Sequence, residues 1–471
     1  MVREPNFLGR ASMPPHDGPW AHLVDVPLVL YGPGVVRARG TIDDPASIVD
    51  LAPTTAAMIG FDEWPRRAGR VLDEALAPGA RPPRLVVTVV WDGAGDNVLR
   101  AHPDAWPYLR RLMRGGVSYR EMTVGSTPSN TPPVHTSLGA GTFPRRHGIV
   151  SVSQRTEAGE VIDPWENEDP SRLETTTLAD LYDRSRDNAA QIGVVGTTNW
   201  HLGMIGHGSA LEGGDSDMAA LLMSGGGVFG NPAYYDLPDI SGGPDLARYV
   251  RQTDSSDGRL DGQWRGNSLE DLAVLASSPP YAAWQADVIE ELIVDRGFGA
   301  DETPDLLYVN FKQPDSAGHK WGMSSPEVGD AVAAADKALR NLVGELNRTV
   351  GRGRWALMVT ADHGQKPYPQ DSGAFAIKGS ELKAAIDAEF DRTDDGIDLV
   401  DRVTSSGVAL NVDQLEPNRV TLEEIAEWLS RYTLEVAFTG GGSPPDYVEA
   451  GDDEPLFDAI VINGGRAVMN C

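Results

Sequence analysis

A doubly wound α/β fold, with a mostly parallel central sheet and helices on both faces, is predicted by three observations. Short β-branched apolar runs recur along the chain. Helix-like stretches alternate with them, and polar residues suited to chemistry stand directly after several runs. Alternation of this kind is the pattern of a sheet built from strand–helix units.

The runs are VPLVLYG at 26–32, RLVVTVVWDG at 84–93, AAQIGVVG at 189–196, PDLLYVNF at 304–311 and RWALMVTADHG at 354–364. Their apolarity is continuous rather than alternating, which marks strands buried on both faces. Between them the helix-like stretches are 47–60, 135–141, 176–185, 283–297 and 326–348. Residues 206–278, rich in Gly, Asp, Ser and Pro, read as a loop-rich cap inserted into the core. LAPGARPP at 76–83 reads as a linker. The expected organisation is a front segment at 1–78, a linker at 79–83, a first core half at 84–205, the cap at 206–278 and a second core half at 279–471.

Hydrophobic residues at 41% and charged residues at 23% give the 471-residue chain material for a large buried core, as in soluble globular proteins. Forty basic against 69 acidic side chains leave a formal net charge of -29. Such a field disfavours polymeric nucleic acid as a partner and repels anionic substrates, so phosphate chemistry would need local positive charge such as bound metal ions. The single cysteine, Cys471, excludes an intramolecular disulfide and a Cys-rich zinc site. The first residues lack the apolar core of a secretory signal, and no run reaches the ~18 apolar residues of a membrane span. The expectation is a cytoplasmic protein with no membrane partner.

In open α/β sheets ligands bind beyond the carboxyl ends of the strands. Asp92 follows LVVTVVW, Asp315 follows LLYVNFKQP, and Asp362 and His363 follow ALMVTA. Taken singly, each Asp reads equally well as a helix cap or turn former. In PDSAGHKWG one helical turn would put Asp315 and His319 on the same face, a pair that suits a divalent transition metal. In PSNTPPVHTSLGAGTFPRRHGI at 128–149, Thr131 stands before a small-residue helix. A hydroxyl at a helix N-terminus, with its free N–H groups, suits a phosphate and an alkoxide nucleophile, although it would also simply cap the helix.

Together these segments resemble a known family. TPPVHTSLGAGTFPRRHGI is similar to the nucleophile motif of nucleotide pyrophosphatases/phosphodiesterases and related alkaline phosphatases. PDSAGHKWG, VTADHG and VVWDG resemble that family's further metal-ligand segments, in the family's order, over most of residues 84–365. The resemblance implies an alkaline-phosphatase-like fold and a two-metal phosphoester hydrolase acting through a phospho-threonine intermediate. Thr131 would be the nucleophile. Asp92, Thr131, Asp362 and His363 would hold one metal, and Asp315 and His319 the other. An Asp/His/Thr donor set fits Zn2+ best, with Mn2+ or Fe as alternatives.

Family members supply a further His well after the Asp-His-Gly motif, but no His follows 363 here. PHDGPWAHLVDVPLVLYGPGV at 15–35 and DDPASIVDLAPTTAAMIGF at 43–61 resemble that late segment. The chain thus resembles a circularly permuted family member in which His16 completes the second metal, with His22 in reserve. A separate small N-terminal domain is the alternative, and a domain-swapped dimer is another way to deliver His16; oligomeric state is left open.

Where the family carries a phosphate-contacting Asn after His-Gly-Ile, this chain has Ser151, Val152 and Ser153. Relatives specialised for monoesters carry a Lys-x-Arg pair where it has TTNWH at 197–201. The expectation leans to a small phosphodiester or nucleotide pyrophosphate, with Ser151, Asn199, Trp200, His201 and Lys312 as candidate substrate contacts. The alternatives are a phosphate monoesterase of the same superfamily and a catalytically idle metal-binding protein. A sulfatase would need a Cys or Ser in place of Thr131.

Overall fold

The structure, a computed structural model, describes residues 1–156, 160–439, 443–462 and 466–469; Cys471 lies outside the described residues. The chain divides into two compact units, Pro19–Gln365 and Met1–Gly18 with Lys366–Cys471.

A nine-stranded sheet carries the larger unit. In chain order its strands are β1 (Leu28–Tyr31), β2 (Gly40–Ile42), β3 (Leu85–Trp91), β4 (Val117–Tyr119), β5 (Ile192–Gly196), β6 (Met218–Leu222), β7 (Val228–Phe229), β8 (Asp305–Phe311) and β9 (Trp355–Thr360). Across the sheet they follow the order β7-β6-β5-β8-β3-β9-β1-β4-β2. Strands β6, β5, β8, β3 and β9 are parallel neighbours, whereas β7 and β1 run against them. Every residue of β3, β5, β8 and β9 is buried, as the continuous apolar runs require. The flanking helices are α1 (Leu51–Ile59), α2 (Thr131–Ala140), α3 (Leu178–Ser185), α4 (Pro279–Asp295), α5 (Gln313–Trp321) and α6 (Pro326–Leu346).

The expected segment boundaries differ from what is built. Residues 206–278 are not all cap, because β6 and β7 form one edge of the central sheet. The buried run MAALL of β6 is a strand hidden between Gly- and Asp-rich loops. Residues 19–78 contribute β1, β2 and α1 to the larger unit, while residues 1–18 belong to the smaller one.

In the smaller unit Phe7–Leu8 pairs in parallel with Ala376–Ile377. Arg3 donates to Glu454 at 2.7 Å and to Asp458 at 2.8 Å. Leu8, Ile377, Leu382, Ile386, Leu399 and Leu456 form its core. Among the described residues no helix is long and apolar enough to cross a membrane.

Candidate active site

Strand register brings the site together. Phe311 of β8 pairs with Trp91 of β3, so the next residues, Lys312 and Asp92, emerge side by side at the carboxyl edge. Asp362 leaves the same edge just past β9, on the other side of β3. Gly93 has φ 67°, and a Cβ there would lie 2.7 Å from the Asp315 Cβ. Its N–H donates to Asp362 Oδ1 at 2.9 Å. At Gly364 a Cβ would lie 2.0 Å from the His22 carbonyl oxygen. The glycine of VVWDG is therefore a steric requirement of Asp315 packed against it, and that of ADHG of the His22 backbone and Asn97 side chain that cross it.

Asp92, Asp362 and His363 are buried, and one potential ligand atom of each lies within 4.8 Å of the others. His363 Nδ1 lies 2.9 Å from the Gly364 carbonyl. A carbonyl only accepts, so Nδ1 carries the proton and Nε2 offers its lone pair. That nitrogen lies 3.6 Å from Asp92 Oδ1 and 3.4 Å from Asp362 Oδ2. Burial and then the neighbouring Asp92 push the Asp362 carboxyl up. Burial pushes Asp92 the same way, but Lys312, His201 and His363 outweigh it and hold Asp92 well below the usual carboxylate range. One turn of α5 separates Asp315 and His319, and places His319 Nε2 3.3 Å from Asp315 Oδ1. Two carboxylates around an imidazole lone pair, with a second Asp–His pair beside them, form a donor set that fits divalent metal.

Lys312 is no solvated lysine. Its ammonium donates to Asp92 Oδ1 at 2.7 Å and to Thr131 Oγ1 at 3.1 Å, and lies 2.8 Å from Asp315 Oδ2. Burial would lower its pKa, but Asp315, Asp92 and Asp362 prevail and raise it. Thr131 is the first residue of α2, with Asn130 at the cap. The free N–H groups expected at that terminus narrow to those of Asn130 and Thr131. Pro132 and Pro133 carry none, and the Val134 N–H bonds to the Asn130 carbonyl. The positive charge beside the hydroxyl comes from Lys312.

Two residues without an assigned role in the sequence reading hold this arrangement. Asn310 Nδ2 donates to Asp92 Oδ2 at 2.9 Å and contacts His135 Nε2 at 3.0 Å. His135 Nδ1 lies 2.9 Å from the Thr131 carbonyl, so it carries the proton and Nε2 accepts from Asn310. Burial lowers the His135 pKa to about 4, so the ring is neutral. A lone Asn inside the run LLYVNF was the available signal.

Asp92, His135 and His201 also approach one another closely, yet they suit a metal poorly. His201 Nδ1 accepts the Thr197 N–H at 3.0 Å, which leaves the proton on Nε2, 3.6 Å from Asp92 Oδ2. Fully buried behind Asp92, His201 faces that carboxylate. Trp200 donates to Asp163 and Asn199 to the Trp165 carbonyl, both at 2.8 Å. Among the described residues no hydrogen bond or ion pair joins Ser151, half-buried in its turn, to Asp92, Thr131 or Lys312. His22 sits in the short helix Ala21–Val24 of the larger unit, and His16 belongs to the smaller unit.

Fold and donor set together define an alkaline-phosphatase-like α/β protein. The alkaline phosphatase PafA crystal structure superposes with a TM-score of 0.60 over 74% of this chain and 76% of that one, at 19% identity. The chain belongs to the type I phosphodiesterase / nucleotide pyrophosphatase family, whose model matches residues 86–435. It is similar to alkaline phosphatase PafA of Elizabethkingia meningoseptica, 23% identical over 340 residues, covering 60% of each protein. It is also similar to alkaline phosphatase PhoD of Zymomonas mobilis, 20% identical over 382 residues, covering 71% of this chain and 62% of that protein. The chain thus spans less than two thirds of either relative.

Proposed function

We propose that this chain is a two-metal phosphoester hydrolase acting on small phosphodiesters or nucleotide pyrophosphates through a phospho-threonine intermediate. The observation that carries the reading is the buried Asp92–Asp362–His363 cluster, with the Thr131 hydroxyl joined to Asp92 through Lys312. Asp92, Thr131, Asp362 and His363 would hold one ion; Asp315, His319 and His16 would hold the other, Zn2+ being the best match. When bound, such ions supply charge that acidifies a hydroxyl and neutralises phosphoryl oxygens.

Thr131 Oγ1 attacks phosphorus in line, the P–O bond to the leaving group breaks, and water then cleaves the threonine ester. His135 and Asn310 keep the Thr131 backbone and Asp92 in place. A phosphorus atom within ~3–3.5 Å of Oγ1, an attack distance, brings its nonbridging oxygens near the Lys312 ammonium. One such cation, where monoester-specific relatives use a Lys-x-Arg pair, matches the single charge of a diester. We assign His201 to orienting Asp92; Ser151, Asn199 and Trp200 stay candidates for the leaving-group side.

Permutation is part of this proposal. It is supported by β1, which pairs with β9 in the central sheet, and by Val2, which bridges to Phe457 in the smaller unit. The test is bound metal plus turnover of p-nitrophenyl diester and monoester. Wild type should hold two metals and favour the diester, and Thr131→Ala should lose turnover but keep its metals. His16→Ala should lose one metal with the activity. Recovery of activity on mixing His16→Ala with Thr131→Ala would mean that His16 arrives from a swapped partner copy. Turnover by Thr131→Ala would remove it from the mechanism.

A further inference from the structure

At the opposite, amino-terminal edge of the sheet three carboxylates converge. Asp183 lies in α3, while Asp215 and Asp217 lie in the GGDSD loop that leads directly into β6. One oxygen of each lies within 4.8 Å of the other two. Asp183 and Asp217 are only 4% and 8% exposed, and Asp215 is exposed.

An acidic cluster alone means little on a chain of charge -29; Asp217 is what distinguishes this one. Its backbone carbonyl accepts the Asp236 N–H at 2.9 Å. The residue is more than nine-tenths buried, and no hydrogen bond or ion pair to its carboxylate occurs among the described residues. The charges acting on it, from Asp183, Asp180 and Asp215, are all negative. Nearby Asp180 shows how the same region satisfies a buried carboxylate. It accepts the Thr177 N–H at 2.7 Å, the His207 N–H at 2.8 Å, and contacts His207 Nδ1 at 2.9 Å. Asp183 has one backbone donor, Ala190 N–H at 3.2 Å, and its neighbour on the other side is Asp215. Buried like charges are tolerated when they are paired or coordinate a metal.

We propose that Asp183, Asp215 and Asp217 form a structural calcium site that fastens the loop before β6 to α3. Three carboxylates are hard oxygen donors, which suit Ca2+ and disfavour Zn2+. Backbone carbonyls and water would complete the 6–8 oxygens that Ca2+ takes. The site is independent of the hydrolase chemistry, because the length of a strand, roughly 15–20 Å at ~3.3 Å per residue, separates the two edges of the sheet.

Calcium titration calorimetry and thermal melts on the full chain test it, using wild type, Asp217→Asn and, as a catalytic-cluster control, Asp362→Asn. Wild type and Asp362→Asn should each bind Ca2+ and melt several degrees higher with it. Asp217→Asn should bind at least 100-fold more weakly and gain nothing. In chelator it should melt at or above wild type, since a repelling charge is gone. Its turnover with catalytic metals saturating should be unchanged. If Asp217→Asn folds poorly, Asp215→Asn, at an exposed position, should show the same loss of binding. Wild type without calcium binding, or Asp217→Asn and Asp215→Asn binding as wild type does, overturns the site. Loss of binding in Asp362→Asn also overturns it, since the ion would then sit at the catalytic cluster.

Discussion

Replacing Lys312 with Met keeps the aliphatic stem and deletes the ammonium. Asp92 Oδ1, Asp315 Oδ2 and Thr131 Oγ1 then lose a partner now at 2.7, 2.8 and 3.1 Å. Hydrogen bonds to charged groups contribute about 1.5–3 kcal/mol each, and removing one partner of a buried ion pair costs about 3–5 kcal/mol. In chelator the variant should therefore melt about 6–10 °C below wild type, at ~2 °C per kcal/mol for a unit of this size. Divalent metal neutralises the same carboxylates, so with metal the gap should close. By linkage the variant must then bind metal more tightly, by about 100-fold for every ~2.8 kcal/mol recovered. Thermal melts with and without chelator, together with Zn2+ competition against a chromophoric chelator, measure both sides of the cycle. A variant that melts with wild type in chelator, or binds zinc no more tightly, would mean that the Lys312 ammonium does not hold these carboxylates.

Asn310→Leu strips the donor from Asp92 Oδ2 and His135 Nε2. At about 1–3 kcal/mol per buried unsatisfied acceptor, it should lower the denaturation midpoint markedly and slow turnover, as urea titration and diester kinetics would show. Gly93→Ala meets both a positive φ and a contact of 2.7 Å with Asp315, so bound metal, measured by elemental analysis, should fall even where the fold survives. His147 accepts the Ile149 N–H at Nδ1 and lies 3.0 Å from Ser137 Oγ, with burial lowering its pKa to about 3 from 6.5. Between those values the unfolded chain binds the proton and the folded one does not, so stability falls as pH drops. From pH 7 to 4 the contribution is about 3 kcal/mol. His147→Gln should flatten that slope in urea midpoints taken across the range; an unchanged slope would exonerate His147.

The parallel core was legible because buried strands leave a signal that survives without neighbours. LVVTVVW and WALMVT have no polar face, and each stands beside a residue that only a strand end can present. Strand β6 was hidden for the opposite reason: MAALL is too short and too weakly β-branched to outweigh the Gly and Asp around it. The division of the chain at Gln365 was also silent, since ADHGQKPYPQ reads as one continuous loop whichever unit follows.

Within the site, residue identity could be read from motifs, but roles depended on register. Lys312 has the composition of a solvated lysine, and only the pairing of Phe311 with Trp91 delivers its ammonium to Asp92. The two prolines after Thr131 carried information of the other kind, visible in sequence from the start. By removing two N–H donors from the helix terminus they leave only those of Asn130 and Thr131 for an anion there. Under the proposed function, a chain of net charge -29 cannot rely on its long-range field to attract phosphate. Its attraction for an anion would then have to lie within a few ångströms of the Thr131 hydroxyl, and the Lys312 ammonium, 3.1 Å from that oxygen and beside a donor set that fits divalent cations, is the charge placed to supply it.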